Sequence, residues 1–538
     1  MAGWNFADVW ETVAETQPDA PALIHGDIRR TWAEFDARAN GIATWLLGLD
    51  GVAHQDKVAH YLYNCPEFLE SMFGIFRAGF APVNTNYRYA DEELLYLWDN
   101  ADAVAVVFHG TFADRVDTLR HKLPKVKGWL WVDDGAGPCP DWATPYEDAA
   151  AKGSAGGRVK GPWGRDGDDL YMLYTGGTTG MPKGVMWRQD DIFSSLNESN
   201  GAVYPLEPDY DAVRRIRTEQ GPGFKAIPAC PLMHGTGAFT SFSILSGGGC
   251  VATLTNRTFD ADELLATVDA EKINVIAIVG DAFAKPILRA LDGSPGKYDV
   301  SSLVLIVSSG VMWSHETKEG LLGHHPNMLL SDAFSSSEAL GMGSSVSGGA
   351  NAAETAKFNL GANAVVITDD GRLAQPGSGE IGMVGVKGRL PMGYYKDPEK
   401  TAKTFRVIDG VRYSIPGDYA TVEADGSLSL LGRGSVCINT GGEKVFPEEV
   451  EEVLKTHPSV RDAVVVGVAD EKWGEAITAM VEPHPGASID EADVIAHVKH
   501  RLAAYKAPKR VLAVETIGRA PNGKVDYKRL KAEAAQRV

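Results

Sequence analysis

The sequence predicts an α/β protein with a large layered N-terminal part and a small α+β unit at its C-terminal end. Three observations carry this. Short apolar runs rich in Val and Ile, at residues 103–108 (AVAVVF), 273–279 (INVIAIV) and 303–307 (LVLIV), have the length and composition of buried strands. Helix-like stretches alternate with them; residues 261–270 follow Asp260 as a cap and repeat apolar residues at helical spacing. Strand–helix alternation of this kind points to parallel sheets. Finally, residues 448–455 read as helix, 462–468 as strand and 491–502 as helix, a compact α+β unit of about 100 residues. A boundary near Gly432–Ser435 divides the chain into 1–432 and 433–538. Residues 149–168, 205–223 and 348–356 are rich in small, polar or proline residues and read as surface connections.

A chain of 538 residues exceeds what one core holds, about 250–300 residues, so several structural units are expected. With 44% hydrophobic and 23% charged residues, it has material for a large core and does not read as disordered. The net charge of −19 speaks against nonspecific nucleic-acid binding, which needs a basic footprint. It leaves an anionic substrate open, since a local cradle of amides, lysine and a metal ion overrides the global field. Cys65, Cys139, Cys230, Cys250 and Cys437 are widely spaced without a CxxC pair, which suggests neither a zinc site nor a disulfide framework. The first residues lack the basic and apolar regions of a signal peptide, and no apolar run approaches about 18 residues. A cytoplasmic protein without a transmembrane segment is expected; a homo-oligomer is left open.

The strongest chemical signal is YTGGTTGMPKG, residues 174–184. It follows the apolar 170–173, so it should leave a strand as a loop. Glycines let backbone approach a ligand closely. Successive amides, with the hydroxyls of Thr175, Thr178 and Thr179, suit phosphate oxygens, and Lys183 adds positive charge. The order Lys183-Gly184 is not that of a Walker A loop, which disfavours a P-loop kinase.

This loop resembles the Gly/Thr-rich loop of the adenylate-forming superfamily, which includes acyl-CoA synthetases, nonribosomal peptide adenylation domains and firefly luciferase. Further segments resemble that superfamily in its order: PLMHGTG at 231–237, SSGV at 308–311, DAFSSSE at 332–338, the G-E-I…G-Y-x-x-x-P-E-x-T stretch at 379–401, Pro416-Gly417-Asp418, Gly432-Arg433, NTGGEKVFPEEV at 439–450, LAAYKAPK containing Lys506, and Asn522-Gly523-Lys524. The resemblance spans residues from about 4 to 532.

The resemblance implies a fold and a set of roles. The fold is a large N-terminal domain of layered α/β subdomains plus a small barrel-like β subdomain, with a small mobile α+β C-terminal domain. Gly176, Gly177, Thr178, Thr179, Gly180 and Lys183 would cradle the ATP phosphates. Glu338 and Thr175 would hold Mg²⁺. Ser309, Gly310, Asp332 and Phe334 would surround adenine, Ser337 would belong to the same cofactor site, and Asp418 and Arg433 would meet the ribose and phosphate. His234, Gly280, Gly341 and Met342 would line the acyl pocket. Lys524 would be the catalytic lysine, Ser435 the hinge, and Gly441 and Gly442 part of the pantetheine channel.

The implied reaction is two-step. A carboxylate attacks the α-phosphate of ATP, pyrophosphate leaves, and the C-terminal domain rotates before the coenzyme A thiol takes the acyl group and releases AMP. Departures from the pattern are Phe334 for Tyr, Ser335 for Gly, Pro416 for Thr, Ser435 where Asp or Lys is frequent, and Trp187-Arg188 for Thr/Ser-His. Gly280, Ala282, Gly341 and Gly343 either leave room for a bulky acyl group or serve packing. The likeness in residues 174–193 and 432–454 is greatest to actinobacterial synthetases of fatty-acid and steroid side-chain breakdown. Alternatives are an acyl-AMP ligase that loads a carrier protein and a catalytically silent binder. The first is disfavoured by the absence of an obvious insertion before Gly432, the second by the presence of Lys524 and Glu338.

Overall fold

The computed structural model describes residues 3–175, 181–311, 313–349, 351–440, 443–470, 473–502, 504–520, 523 and 525–538. The chain forms two compact units, one of Met1–Ala353 with Lys387–Ser414, the other of Glu354–Val386 with Ile415–Val538.

The first unit contains two largely parallel sheets. In one, the strands lie in the order Ile28–Thr31, Pro21–His25, Cys250–Thr253, Lys225–Pro228, Val275–Ile278, Leu305–Ser309, Leu329–Ser336 and Ala339–Ser347. From Pro21–His25 to Leu329–Ser336 neighbours are parallel, and Ala339–Ser347 returns antiparallel as a hairpin. In the other the order is Gly393–Tyr394, Lys183–Arg188, Leu170–Thr175, Ala81–Asn84, Lys57–Tyr61, Ala103–His109, Gly128–Val132 and Thr144–Pro145. The run read from sequence as strand 103–108 is fully buried, as a central parallel strand must be. The other two expected strands shift: Val275–Ile278 is shorter than anticipated, and Leu305–Ser309 begins two residues late, so Ser308 and Ser309 end the strand instead of following it.

The unit's described buried apolar residues form three clusters, one of which packs helices against both sheets. Trp10 sits edge-on to Phe73 at 5.4 Å and packs with Phe35, Phe76 and Phe242. Helix Trp32–Leu47 starts where a reciprocal Thr31/Glu34 capping box satisfies otherwise orphaned amides. Helix Ala261–Glu271 starts at the expected Asp260, whose side chain accepts from the amides of Asp262 and Glu263.

The segment 205–223 corrects the sequence reading. It contains the helix Tyr210–Gln220, with Asp209 accepting from the Ala212 amide. Its three prolines lie outside the helix, while Val213 and Ala212 are buried. Arg214, Arg215 and Glu219 on the exposed faces, with Arg217 on the buried one, mask the amphipathic period.

The second unit holds an antiparallel group in the order Lys357–Leu360, Ser427–Arg433, Asp418–Val422, Gly382–Lys387 and Ala364–Thr368. It also holds a sheet of Glu443–Val445, Ile438–Thr440, Gly474–Pro483 and Val460–Asp470, with Arg510–Ala513 parallel to Gly474–Pro483. Strand alternation divides two cores. Ala463 and Val465 pack with Val450, Leu454, Val494 and Val498 of helices Pro447–Lys455 and Glu491–Arg501. Val464, Val466 and Val468 pack on the opposite face with Leu530 and Ala534 of helix Tyr527–Arg537. Among the described residues no helix is long and apolar enough to cross a membrane.

Candidate active site

The segment predicted to hold phosphate lies at the end of a strand, as expected. Strand Leu170–Thr175 runs to Thr175, and the antiparallel strand Lys183–Arg188 opens with Lys183 directly opposite it. Gly176, Gly177, Thr178, Thr179 and Gly180 lie outside the described residues. Lys183 forms an ion pair at 2.7 Å with Asp397, the N-cap of helix Pro398–Thr404. This hydrogen bond raises the lysine pKa and pulls the Asp397 carboxyl down. Lys183 therefore stays protonated, but its charge is shared with a carboxylate.

Ser337 and Glu338 form the tip of the hairpin between Leu329–Ser336 and Ala339–Ser347. Three groups that sequence reasoning missed fix this tip. The Trp187 indole Nε1–H donates to the Ser337 carbonyl at 2.9 Å, from a fully buried ring on the strand that follows the phosphate loop. The Ser414 hydroxyl donates to the Glu338 carbonyl at 2.6 Å. The Tyr394 hydroxyl donates to Glu338 Oε1 at 2.7 Å. Trp187, a departure from the family pattern, links strand Lys183–Arg188 to the Glu338 hairpin. The other half of that departure, Arg188, pairs with Asp191 and Asp168.

Glu338 suits magnesium. It is partly buried, Oε1 is held by Tyr394, and Oε2 has no hydrogen-bond partner among the described residues. No cluster of three His, Cys, Asp or Glu side chains able to hold a metal occurs among the described residues. One carboxylate is what Mg²⁺ needs when nucleotide phosphates and water supply the remaining oxygens.

Leu305–Ser309 and Leu329–Ser336 place the residues expected around adenine side by side. Ser308 pairs with Asp332 and Ser309 with Ala333, and Phe334 follows directly. Gly310 turns the chain at φ +96°, where a side chain would be strained. The Ser308 hydroxyl accepts the amide of Gly280, itself at φ +53° at the start of helix Asp281–Gly293. Burial pushes the Asp332 carboxyl up to about 6 against the opposing charge of Lys318.

The four residues expected along an acyl pocket are not uniform. His234 is partly buried at the start of helix Gly235–Ser246, and Gly280 is buried. Gly341 is exposed at φ +68° in the irregular stretch of the hairpin, while Met342 beside it has no exposed surface. Two asparagines without any sequence signal stitch this region together. Asn84 donates to the carbonyls of Tyr174 and Met233 and accepts the Tyr174 amide; Asn64 donates to the carbonyls of Pro228 and Cys230 and accepts the Leu232 amide. The phosphate-loop strand and the His234 segment are thus held by buried polar bonds.

In the second unit Asp418 is buried at the start of its strand, directly across from the backbone of Arg433. The backbone of Ser435 lies in the short turn Gly434–Val436. Gly441, Gly442 and Lys524 lie outside the described residues. The chain beside position 524 is anchored on both sides. Arg519 grips Asp462 with two bonds of 2.6 and 2.9 Å and donates to the Gly523 carbonyl, and the Tyr527 hydroxyl donates to the buried Glu451 at 3.0 Å. Lys506 pairs with Glu449 at 2.5 Å.

Comparison with known proteins bears on the family and the fold. The family model of AMP-binding enzymes matches residues 10–395, and that of the AMP-binding enzyme C-terminal domain matches residues 449–524. The medium/long-chain-fatty-acid–CoA/3-oxocholest-4-en-26-oate–CoA ligase of Mycolicibacterium smegmatis is 41% identical over 99% of this chain and 97% of its own. The 3-oxocholest-4-en-26-oate–CoA ligase of Rhodococcus rhodochrous is 39% identical over 99% of this chain and 96% of its own. ATP-bound MatB from Rhodopseudomonas palustris superposes with a TM-score of 0.81 at 26% identity, covering 99% of both chains. The anthranilate CoA ligase AuaEII shares the fold, with a TM-score of 0.83 at 21% identity over 100% of this chain and 98% of its own. By sequence over nearly its whole length and by fold, the chain belongs to the adenylate-forming family of AMP-binding enzymes.

Proposed function

We propose that this protein is an acid–thiol ligase that joins a medium- or long-chain fatty acid, or a steroid side-chain carboxylate, to coenzyme A at the expense of ATP. The observation that carries the reading is the tie between the phosphate-loop strand and the Glu338 hairpin through Trp187, in a chain similar end to end to ligases named for such acids.

A carboxylate is a poor acyl donor because its leaving group would be oxide. Its oxygen attacks the α-phosphorus of ATP, the bond to the pyrophosphate bridge breaks, and an acyl-adenylate forms. Two anions must be held together for this, which demands positioning and charge neutralisation. Thr175 and Glu338 would hold Mg²⁺, whose chemistry is to neutralise the phosphate charge. The loop 176–180 would donate amides and hydroxyls to the phosphate oxygens, Asp418 would accept the ribose hydroxyls, and Lys524 would bridge carboxylate and α-phosphate. In the second step the coenzyme A thiol loses its proton, attacks the acyl carbonyl and expels AMP, with Gly441 and Gly442 along its channel and Ser435 as the pivot.

Mass spectrometry of products from enzyme, ATP, Mg²⁺, coenzyme A and a pool of short, long, aromatic and steroid side-chain acids tests this. Thioesters of the long-chain or steroid acids with matching AMP are expected. Adenylates without thioesters would instead indicate an acyl-AMP ligase, and the absence of any product would refute the activity.

A further inference from the structure

Below the strand ends expected to meet adenine lies a polar group that no step above uses. Lys318, on helix His315–His324, is 1% exposed, and its ammonium makes no hydrogen bond among the described residues. Its nearest opposite charge is Asp332 Oδ2 at 3.6 Å, beyond hydrogen-bond reach, and the Trp313 ring lies 5.7 Å away. Asp332 is 7% exposed, and among the described residues the long contact from Lys318 is the only side-chain hydrogen-bonding influence on its carboxylate. Directly across the hairpin from it, the buried Ser345 hydroxyl also lacks a partner.

Such a cluster is costly for a fold. Taking two charges out of water is repaid only by good geometry and by further hydrogen bonds to the remaining donors and lone pairs. Here those bonds are missing, and a hydrophobic pair would be as stable or more so. The arrangement makes physical sense if a ligand supplies a donor to the carboxylate.

We propose that Lys318 is a positioning residue that keeps Asp332 ionised as a pure hydrogen-bond acceptor, and so makes the nucleotide site selective for a base with an exocyclic amino group. The inference rests on the adenylation reading for the placement of the base. The ammonium acts through Asp332 and touches no substrate. An ionised carboxylate accepts from a 6-amino group and repels a 6-oxo group; a protonated carboxyl donates to a 6-oxo group and loses the distinction. The charged groups acting on Asp332 are Lys318, which favours ionisation, and Asp281 on helix Asp281–Gly293, which opposes it and is itself paired with Lys285 at 3.1 Å. Burial opposes ionisation most, so without Lys318 the carboxyl would ionise only at higher pH.

The test is calorimetric titration of the whole protein with Mg·ATP and with Mg·inosine triphosphate, which carries a 6-oxo group where ATP has the amino group. It needs no acid substrate. Wild type should prefer ATP by about ten- to a hundredfold, the worth of a hydrogen bond to a charged group. That preference should be level above pH 7 and shrink below pH 6. In Lys318→Met it should fall to within about threefold at pH 6.5 and return as the pH rises toward 9. Lys318→Arg should keep the preference and its pH profile.

Should Lys318→Met not fold, Lys318→Met with Asp332→Asn buries no charge and should show a small preference without pH dependence. A merely structural pair would change the affinity for both nucleotides equally. An unchanged ATP preference in Lys318→Met or in the double variant would overturn the proposal. So would a wild type that binds both nucleotides equally, and that result would leave the adenylation reading standing. A wild type that binds neither would overturn both.

Discussion

Removing the Tyr394 hydroxyl isolates what holds Glu338, the proposed metal carboxylate. Tyr394 is buried, and its hydroxyl donates to Glu338 Oε1 at 2.7 Å. Hydrogen bonds to charged groups are worth about 1.5–3 kcal/mol. Glu338 is only partly buried, so water replaces part of the lost bond and the lower end applies, about 1.5 kcal/mol. About 1.4 kcal/mol is a factor of ten, so Tyr394→Phe should raise the Mg²⁺ concentration for half-saturation about tenfold. The ring should stay in place. Its backbone amide donates to Thr401, strand Gly393–Tyr394 pairs with Met186 and Val185, and Phe405 packs 5.8 Å away. The thermal midpoint should therefore move by only a few degrees. The assay is ATP binding by calorimetry across a Mg²⁺ series, with pyrophosphate exchange in parallel. Half-saturation unchanged in Mg²⁺ would refute the role of Glu338 as the metal carboxylate held by Tyr394.

Trp187→Phe leaves the Ser337 carbonyl without its donor and opens space in a full core; a loss of about 2–4 kcal/mol in stability is expected, with slower pyrophosphate exchange at saturating ATP. Normal exchange in the folded variant would deny Trp187 a part in aligning the hairpin. Lys524→Ala should abolish pyrophosphate release while circular dichroism stays unchanged; release at the wild-type rate would remove Lys524 from the chemistry. Gly442→Leu should slow thioester formation more than adenylation, and equal losses would count against a channel role.

His60 supplies a prediction about pH. It is fully buried against Ser71, and burial pushes its pKa down to about 3. Folded His60 binds fewer protons than unfolded, so its contribution is complete above about pH 6.5 and is lost as the pH falls toward 3. Between pH 6.5 and 5 this amounts to roughly 1.5–2 kcal/mol. His60→Gln should flatten the fall of the thermal midpoint over that range, and an identical slope would refute the assignment.

Local pattern was enough for the strongest elements. Residues 103–108 read as strand because a short, uncharged, Val-rich run suits a parallel sheet interior, although its pattern alone also allows a buried helix. Asp260 starts its helix because a carboxylate satisfies free amides there. The Gly/Thr segment stands between two strands because the apolar residues that flank it belong in a sheet, and Lys183 opens the second strand. Helix Tyr210–Gln220 escaped this reading because prolines on either side suggested a loop and its buried face is only a few residues wide. What only the tertiary structure decided are contacts between residues far apart in the chain. Trp187 meets Ser337 across 150 positions, Ser414 meets Glu338 across 76, and Asn84 reaches Met233 across 149. A lone Trp, Ser or Asn carries no signal of its partner, since its role depends on which backbone group the fold buries beside it. Lys318 and Asp332 show the same limit: each reads as a surface charge by type, and only the packing of helix His315–His324 on its sheet takes both out of water.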